Sequence, residues 1–242
     1  MQIARSRLFD VLLGLWTLFI SPAIPVLMRL RRPDLTRAVI RFWTDGIFGL
    51  SRWFLGLRLR EEGVENKHLH APCLYVSNHQ SAWETLAFNR LLPDITIVAK
   101  QELGRIPVFG WFLRNAPMIL IDRDAGARAL KGMVAESQRE LAQGRSILIF
   151  PEGTRVNVGE QRKYQPGLVA LYRKLDLPVV PVAHNSGSFW GRGAKRGGTI
   201  TVSYLPAIPP GLPAAEFMAR VEDLVNAEKE RLSASCAART GA

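Results

Sequence analysis

After residue 57 the chain alternates between two kinds of segment, and this alternation constrains the fold more than any other feature. Short apolar, β-branched runs occur at 73–77 (CLYVS), 95–99 (ITIVA), 118–121 (MILI), 146–150 (SILIF), 179–183 (VVPVA) and 199–205 (TITVSYL). Helix-like stretches lie between or after them, at 82–92, 103–114, 125–143, 166–176 and 214–235. Strand and helix in turn predict an α/β domain over 58–242, with a mixed, largely parallel central sheet covered by helices. Ligands of such sheets sit beyond the carboxyl ends of the strands. The chemically suggestive residues fall where those ends are expected: Asn78 and His79, then Lys100, then Asp122 and Arg123, then PEGTR at 151–155.

Residues 1–57 have a different character and are expected to form membrane-associated amphipathic helices. Val11 to Met28 carries no charge, and its length is at the lower limit of about 18 apolar residues for a membrane span. Pro22 and Pro25 interrupt it near its end. Arg5 and Arg7 precede it and Arg29, Arg31 and Arg32 follow, so charge favours neither orientation of a simple span. A segment that enters one leaflet and returns to the same side satisfies that symmetry; a cleavable signal peptide, with Ser21-Pro22-Ala23 near the cut, is the rival. From Arg37 to Leu57, Arg37, Arg41, Asp45 and Arg52 fall within about 80° of one another on a helix, leaving a broad apolar face for an interface. Trp16, Trp43 and Trp53 suit the headgroup region. The alternative is that these helices pack on the domain as ordinary amphipathic helices.

Lysine and arginine total 32 against 21 acidic residues, a net charge of +11. A negatively charged partner follows: nucleic acid, anionic lipid headgroups or a phosphorylated small molecule. Nucleic acid is disfavoured, because no binding signature is present and it leaves the amphipathic stretches unexplained. Cys73 and Cys236 lie far apart, without CxxC spacing or a histidine cluster, so neither a disulfide framework nor a metal site is expected. Cys73 lies in an apolar run and reads as a buried structural thiol.

SNHQSAWETLAF, residues 77–88, places a histidine in a polar turn five residues before a glutamate. Residues five apart on a helix are about 140° apart in azimuth, so His79 and Glu84 meet only if His79 precedes the helix. Ser81-Ala82-Trp83-Glu84 is an S-x-x-E capping box, which puts the helix start at Ser81 and His79 on the approach turn. The carboxylate then reaches one ring nitrogen and leaves the other free as a base. Ser81 as a nucleophile competes poorly with its capping role. The second cluster, Pro151-Glu152-Gly153-Thr154-Arg155, offers a glycine turn, a hydroxyl and amides as donors, and a planar guanidinium suited to phosphate. Lys100 and Arg123 at neighbouring strand ends are expected to join it around one anion. The spacing of a nucleotide P-loop is absent.

Taken in order, NHQSAWE, KQELGRIPVFG, ILIDR, FPEGTR and VVPVA resemble the glycerolipid acyltransferase superfamily, and most closely the bacterial 1-acyl-glycerol-3-phosphate acyltransferases. The resemblance spans residues 77–183. It implies transfer of a fatty acyl group from acyl-CoA or acyl carrier protein to the free hydroxyl of a lysophospholipid, at the cytoplasmic face of the membrane, with no cofactor beyond the thioester co-substrate. His79 matches the histidine of the family's H-x-x-x-x-D motif, and Glu84 stands where the family usually has aspartate. The resemblance assigns Lys100, Arg123 and Arg155 to the substrate phosphate or its surroundings, Glu152 and Gly153 to shaping that site, and Pro181 to a structural motif; Thr154, read as a donor from its hydroxyl, is counted with the substrate-binding residues. Amides near Gly153 or at the helix start after Ser81 are candidate oxyanion donors. Other acceptors, such as a lyso-aminolipid or glycerol 3-phosphate, and an inert lipid-binding relative are the alternatives.

Overall fold

The computed structural model describes residues 2–68, 70–92, 94–105, 110, 118–122, 125–191 and 193–240. Helices α1 (Gln2–Ile20), α2 (Ala23–Arg29) and α3 (Pro33–Leu50) come first. Pro25 falls in the first turn of α2, where its missing N–H costs no helical bond. α3 runs on through a π turn, Ser51–Leu55, and ends at Gly56, whose φ of 74° is the left-handed conformation that glycine takes without a Cβ clash.

The strands are β1 (Leu57–Glu62), β2 (Leu74–Ser77), β3 (Ile95–Lys100), β4 (Met118–Ile121), β5 (Ser146–Ile149), β6 (Val179–His184) and β7 (Gly198–Tyr204). Among the described residues they form one seven-stranded sheet in the order β1-β7-β6-β2-β5-β3-β4. Only the β6–β7 pairing is antiparallel, which is the mixed, largely parallel sheet that the alternating pattern predicts. Around it lie α4 (Trp83–Leu91), α5 (Gly126–Leu141), α6 (Gly167–Leu175), the short α7 (Gly187–Trp190) and α8 (Ala214–Thr240).

β2, β5 and β6 are buried at every residue, as strands covered on both faces must be. Period-two alternation divides their side chains between two cores. Tyr75 and Leu148 face the side where Phe9, Trp43, Trp83 and Phe88 pack. Leu74, Val76, Ile147 and Ile149 face Met133, Leu168, Phe217 and Val221 on the other. Pro181 sits opposite Leu205 at the end of the β6–β7 ladder, where its carbonyl accepts the Leu205 N–H at 2.9 Å and proline omits only the return bond of that last pair.

Three features depart from the sequence reading. β1, with the charged sequence LRLREE, is an edge strand paired to β7 and carries no strong apolar signal. The helix expected over 103–114 begins as a 3-10 turn, Gln101–Arg105, and residues 106–109 and 111–117 lie outside the described residues. Trp43 is not a headgroup residue: it is 5% exposed and packs between α1 and α3. Its indole N–H donates to Thr17 Oγ1 at 3.1 Å while the Trp16 indole donates to the Trp43 carbonyl at 2.9 Å. Trp53, by contrast, is 84% exposed.

Gln2–Leu27 is long and apolar enough to cross a membrane, and only 17% of its most apolar window is buried. Leu8, Val11, Leu15, Leu18 and Phe19 project outward from it. A contiguous exposed apolar face of this kind fits a membrane surface.

Candidate active site

Sheet order assembles the site. β2 lies between β6 and β5, so the loops that follow these three parallel strands meet at one edge of the sheet. Along that edge come His184 at the end of β6 and Ser186 after it, His79 after β2, PEGTR after β5, Lys100 at the end of β3 and Asp122 after β4.

His79 is on the approach to α4, as the spacing argument requires, and its Nδ1 lies 2.9 Å from Glu84 Oε1. The helix starts slightly later than the capping box suggests: Trp83 is its first residue and Ala82 occupies the N-cap position. Ser81 still accepts the Trp83 N–H at 3.0 Å, and Glu84 Oε1 reaches back to the Ser81 and Gln80 amides at 2.7 and 2.6 Å. Glu84 is completely buried. Burial pushes its carboxyl up, but the neighbouring His184, the hydrogen bond and charge of His79, and the Ser81 hydroxyl together hold it well below the ordinary carboxylate range. It is therefore an ionised carboxylate at neutral pH, satisfied by donors on both oxygens. With Glu84 accepting from Nδ1–H, the neutral ring keeps Nε2 as its basic nitrogen. Nε2 has no hydrogen-bond partner among the described residues, and the side chain is 17% exposed.

The PEGTR turn holds His79 from the other side. Phe150 stacks on the imidazole, with ring centroids 4.4 Å apart and planes 19° from parallel. The His79 carbonyl accepts the Val156 N–H at 2.8 Å, and the His79 N–H donates to Glu152 Oε2 at 2.8 Å. Glu152 is 1% exposed, so its carboxylate anchors the backbone under the imidazole and does not line an open pocket. Gly153 turns the chain at φ 74°, leaving Thr154 and Arg155 exposed.

The cations are less gathered than the sequence suggests. Lys100 pairs with Glu102 at 3.0 Å, both about half exposed. Arg155 makes no ion pair among the described residues, and Arg123 lies outside them. The candidate oxyanion amides are also engaged: Gly153 N–H donates to the Phe150 carbonyl and Trp83 N–H to Ser81 Oγ. Ser81 is 2% exposed and its hydroxyl donates to Glu84, an arrangement for a structural hydroxyl and not for a nucleophile. Burial pushes the Cys73 thiol up to about 11, which leaves it unreactive. Among the described residues no cluster of three or more His, Cys, Asp or Glu side chains is placed to hold a metal ion.

A family model described as acyltransferase matches residues 58–185, which holds both the histidine–glutamate pair and the PEGTR turn. The chain belongs to the acyltransferase family. It is 37% identical over 216 residues to a Pseudomonas aeruginosa protein named 1-acyl-sn-glycerol-3-phosphate acyltransferase, covering 86% of this chain and 81% of that one. It is 31% identical over 176 residues to human 1-acyl-sn-glycerol-3-phosphate acyltransferase beta, covering 71% and 63%. The crystal structure of a Thermotoga maritima 1-acyl-sn-glycerophosphate acyltransferase shares the fold, with a TM-score of 0.70 at 23% identity over 96% of this chain and 99% of that one. This acyltransferase thus has a PEGTR turn that supports its histidine through the backbone. His184, at the end of β6, and Ser186, in the loop after it, contact Glu84 and have no signal in the sequence beyond following the VVPVA run.

Proposed function

We propose that this acyltransferase moves a fatty acyl group from a thioester, acyl-CoA or acyl carrier protein, to the free hydroxyl of 1-acyl-glycerol 3-phosphate, giving phosphatidic acid for phospholipid synthesis. The observation that carries the reading is the His79 Nδ1–Glu84 contact at 2.9 Å, with Nε2 left unengaged at the carboxyl edge of the sheet. A glycerol hydroxyl is a poor nucleophile, and a positioned base supplies typically about 10²- to 10⁴-fold. His79 Nε2 takes the hydroxyl proton as the oxygen attacks the thioester carbonyl carbon. The tetrahedral intermediate collapses, the C–S bond breaks, and the thiolate leaves with the proton that His79 had accepted. Glu84 stabilises the imidazolium between these steps. The thiolate is a good leaving group, so the sequence of events calls for neither a metal nor a further cofactor.

The surroundings support a lipid acceptor. An apolar cavity of 330 Å³, lined by Val98, Ile121, Leu130, Met133 and Phe150, opens beside Gly153 and offers room for part of an acyl chain. Arg155, on the exposed arm of the PEGTR turn, is the side chain assigned here to the acceptor phosphate, and the resemblance adds Lys100 and Arg123 as further candidates. The apolar N-terminal helices hold the enzyme at the cytoplasmic face of the membrane, where both acyl chains stay in the lipid and the +11 charge meets anionic headgroups.

The test is an acyl-transfer assay with lysophosphatidic acid beside other lysophospholipids, a lyso-aminolipid and glycerol 3-phosphate, read by mass spectrometry of the lipid products. Phosphatidic acid as the dominant product supports the reading. Preferential acylation of another acceptor, or no product from any, overturns it.

A further inference from the structure

The loop after β6 adds to the site a residue that neither motif contains. Ser186 is fully buried, and its hydroxyl donates to Glu84 Oε2 at 2.8 Å from 102 positions away in the sequence. Ser81 Oγ donates to the same oxygen. The other oxygen, Oε1, receives the Gln80 and Ser81 amides and faces His79 Nδ1. The carboxylate is thereby divided: two hydroxyls hold Oε2, and Oε1 is turned toward the imidazole.

Ser186 is itself held by a cross-stitch between the loop after β2 and the end of β6. The Asn78 side chain donates to the His184 carbonyl and accepts the His184 N–H, both at 3.0 Å. His184 Nε2 lies 2.8 Å from the Asn78 carbonyl, which requires Nε2–H, so Nδ1 faces the Ser186 N–H as an acceptor at 3.4 Å. Burial holds the His184 ring below its ordinary pKa, so it is neutral in this arrangement. A glutamate has one more rotatable bond than an aspartate, and fixing that bond costs conformational entropy that a second anchor offsets.

We propose that Ser186 is a positioning residue: its hydroxyl fixes the Glu84 carboxylate in the rotation that presents Oε1 to His79, and so sets the Nδ1–H tautomer that leaves Nε2 as the base. This inference rests on the reading of His79 as the general base. It is specific to glutamate at position 84. An aspartate there is shorter by one C–C bond, about 1.5 Å, and in this backbone geometry its carboxylate cannot span both the His79 ring and the Ser186 hydroxyl.

The experiment compares the full-length wild type with Ser186→Ala, Glu84→Asp and the double variant, measuring kcat and KM for acyl transfer to lysophosphatidic acid. Ser186→Ala is expected to lower kcat about tenfold, the effect of removing one hydrogen bond to a charged group, with KM changed little. Ser186→Cys, near-isosteric with a weaker donor, falls between the two. In the Glu84→Asp background the alanine substitution is expected to change kcat by less than about twofold, because the two residues no longer interact. A serine that only supports the fold costs the same factor in both backgrounds, and that result overturns the proposal. Nitrogen NMR of the His79 ring, at a pH where it is neutral, supplies a readout independent of turnover. Wild type shows the Nδ1–H tautomer and Ser186→Ala gains the Nε2–H form; an unchanged ring overturns the proposal. If wild type acylates no acceptor at all, the proposed reaction fails, and the ring spectrum still decides whether Ser186 orients the pair.

Discussion

The backbone N–H of His79 donates to Glu152 Oε2 at 2.8 Å, joining residues 73 positions apart. With the Val156 N–H bound to the His79 carbonyl, it ties both backbone groups under the imidazole to the PEGTR turn. Burial pushes the Glu152 carboxyl up to about 7, and the nearby Glu84 adds to the rise, while the His79 N–H, Lys229 and Arg162 oppose it. A group raised in the folded state contributes stability below its unfolded value of 4.5 and loses that contribution as pH rises through about 7. Glu152→Gln keeps an acceptor for His79 and removes the titration. Melting temperatures measured at about pH 5 and about pH 8.5 are expected to shift in favour of the glutamine variant at the higher pH. A constant difference between the two proteins contradicts the assignment.

His184 gives the opposite slope. Its ring is depressed by burial, so its contribution to stability is present above the ordinary histidine value of 6.5 and is lost as pH falls below it. Glu84, also depressed, acts in the same direction from 4.5 downward. His184→Gln is expected to lose less stability than wild type between about pH 6.5 and about pH 5, measured as the shift in denaturant midpoint. Parallel losses in the two proteins rule out titration of that ring.

Packing of the N-terminal helices turns on one glycine. A Cβ at Gly46 of α3 falls 2.3 Å from the Trp16 ring, whereas a Cβ at Gly49 meets nothing within 4 Å. Gly46→Ala is expected to destabilise the protein by about 1–3 kcal/mol through overpacking. Gly49→Ala is expected to be neutral or to stabilise it by roughly 0.5–1 kcal/mol. Thermal melts in one detergent check the pair, and equal effects contradict the α1–α3 contact.

The acceptor phosphate distinguishes Arg155 from Lys100. Arg155 is exposed and makes no ion pair among the described residues, while Lys100 is engaged with Glu102. Arg155→Ala is expected to raise KM for lysophosphatidic acid about tenfold with a smaller effect on kcat, the loss of one charge-assisted contact. Lys100→Ala is expected to raise it less. Steady-state kinetics in mixed micelles decide the order.

The sheet and the histidine–glutamate pair are legible in the sequence because each rests on a local pattern. Central strands are continuous apolar runs, and the S-x-x-E box fixes where His79 stands relative to α4. β1 is not legible, since an edge strand solvated on one side can be written LRLREE. Ser186 and His184 are invisible for another reason: their contact with Glu84 exists only because β6 lies beside β2, and strand order is not written in any local run. Glu152 reads as a phosphate-site residue until the loop's path shows its carboxylate turned inward to a backbone amide. The convergence of cations on one anion is a property of side-chain direction, and Lys100 turns to Glu102.

The account stands on the imidazole of His79 as the base for the acceptor hydroxyl, and His79→Ala tests it most directly. Acyl transfer to lysophosphatidic acid by the purified variant is expected to fall about 10²- to 10⁴-fold, with the melting temperature close to that of wild type. Turnover within a few fold of wild type contradicts the account.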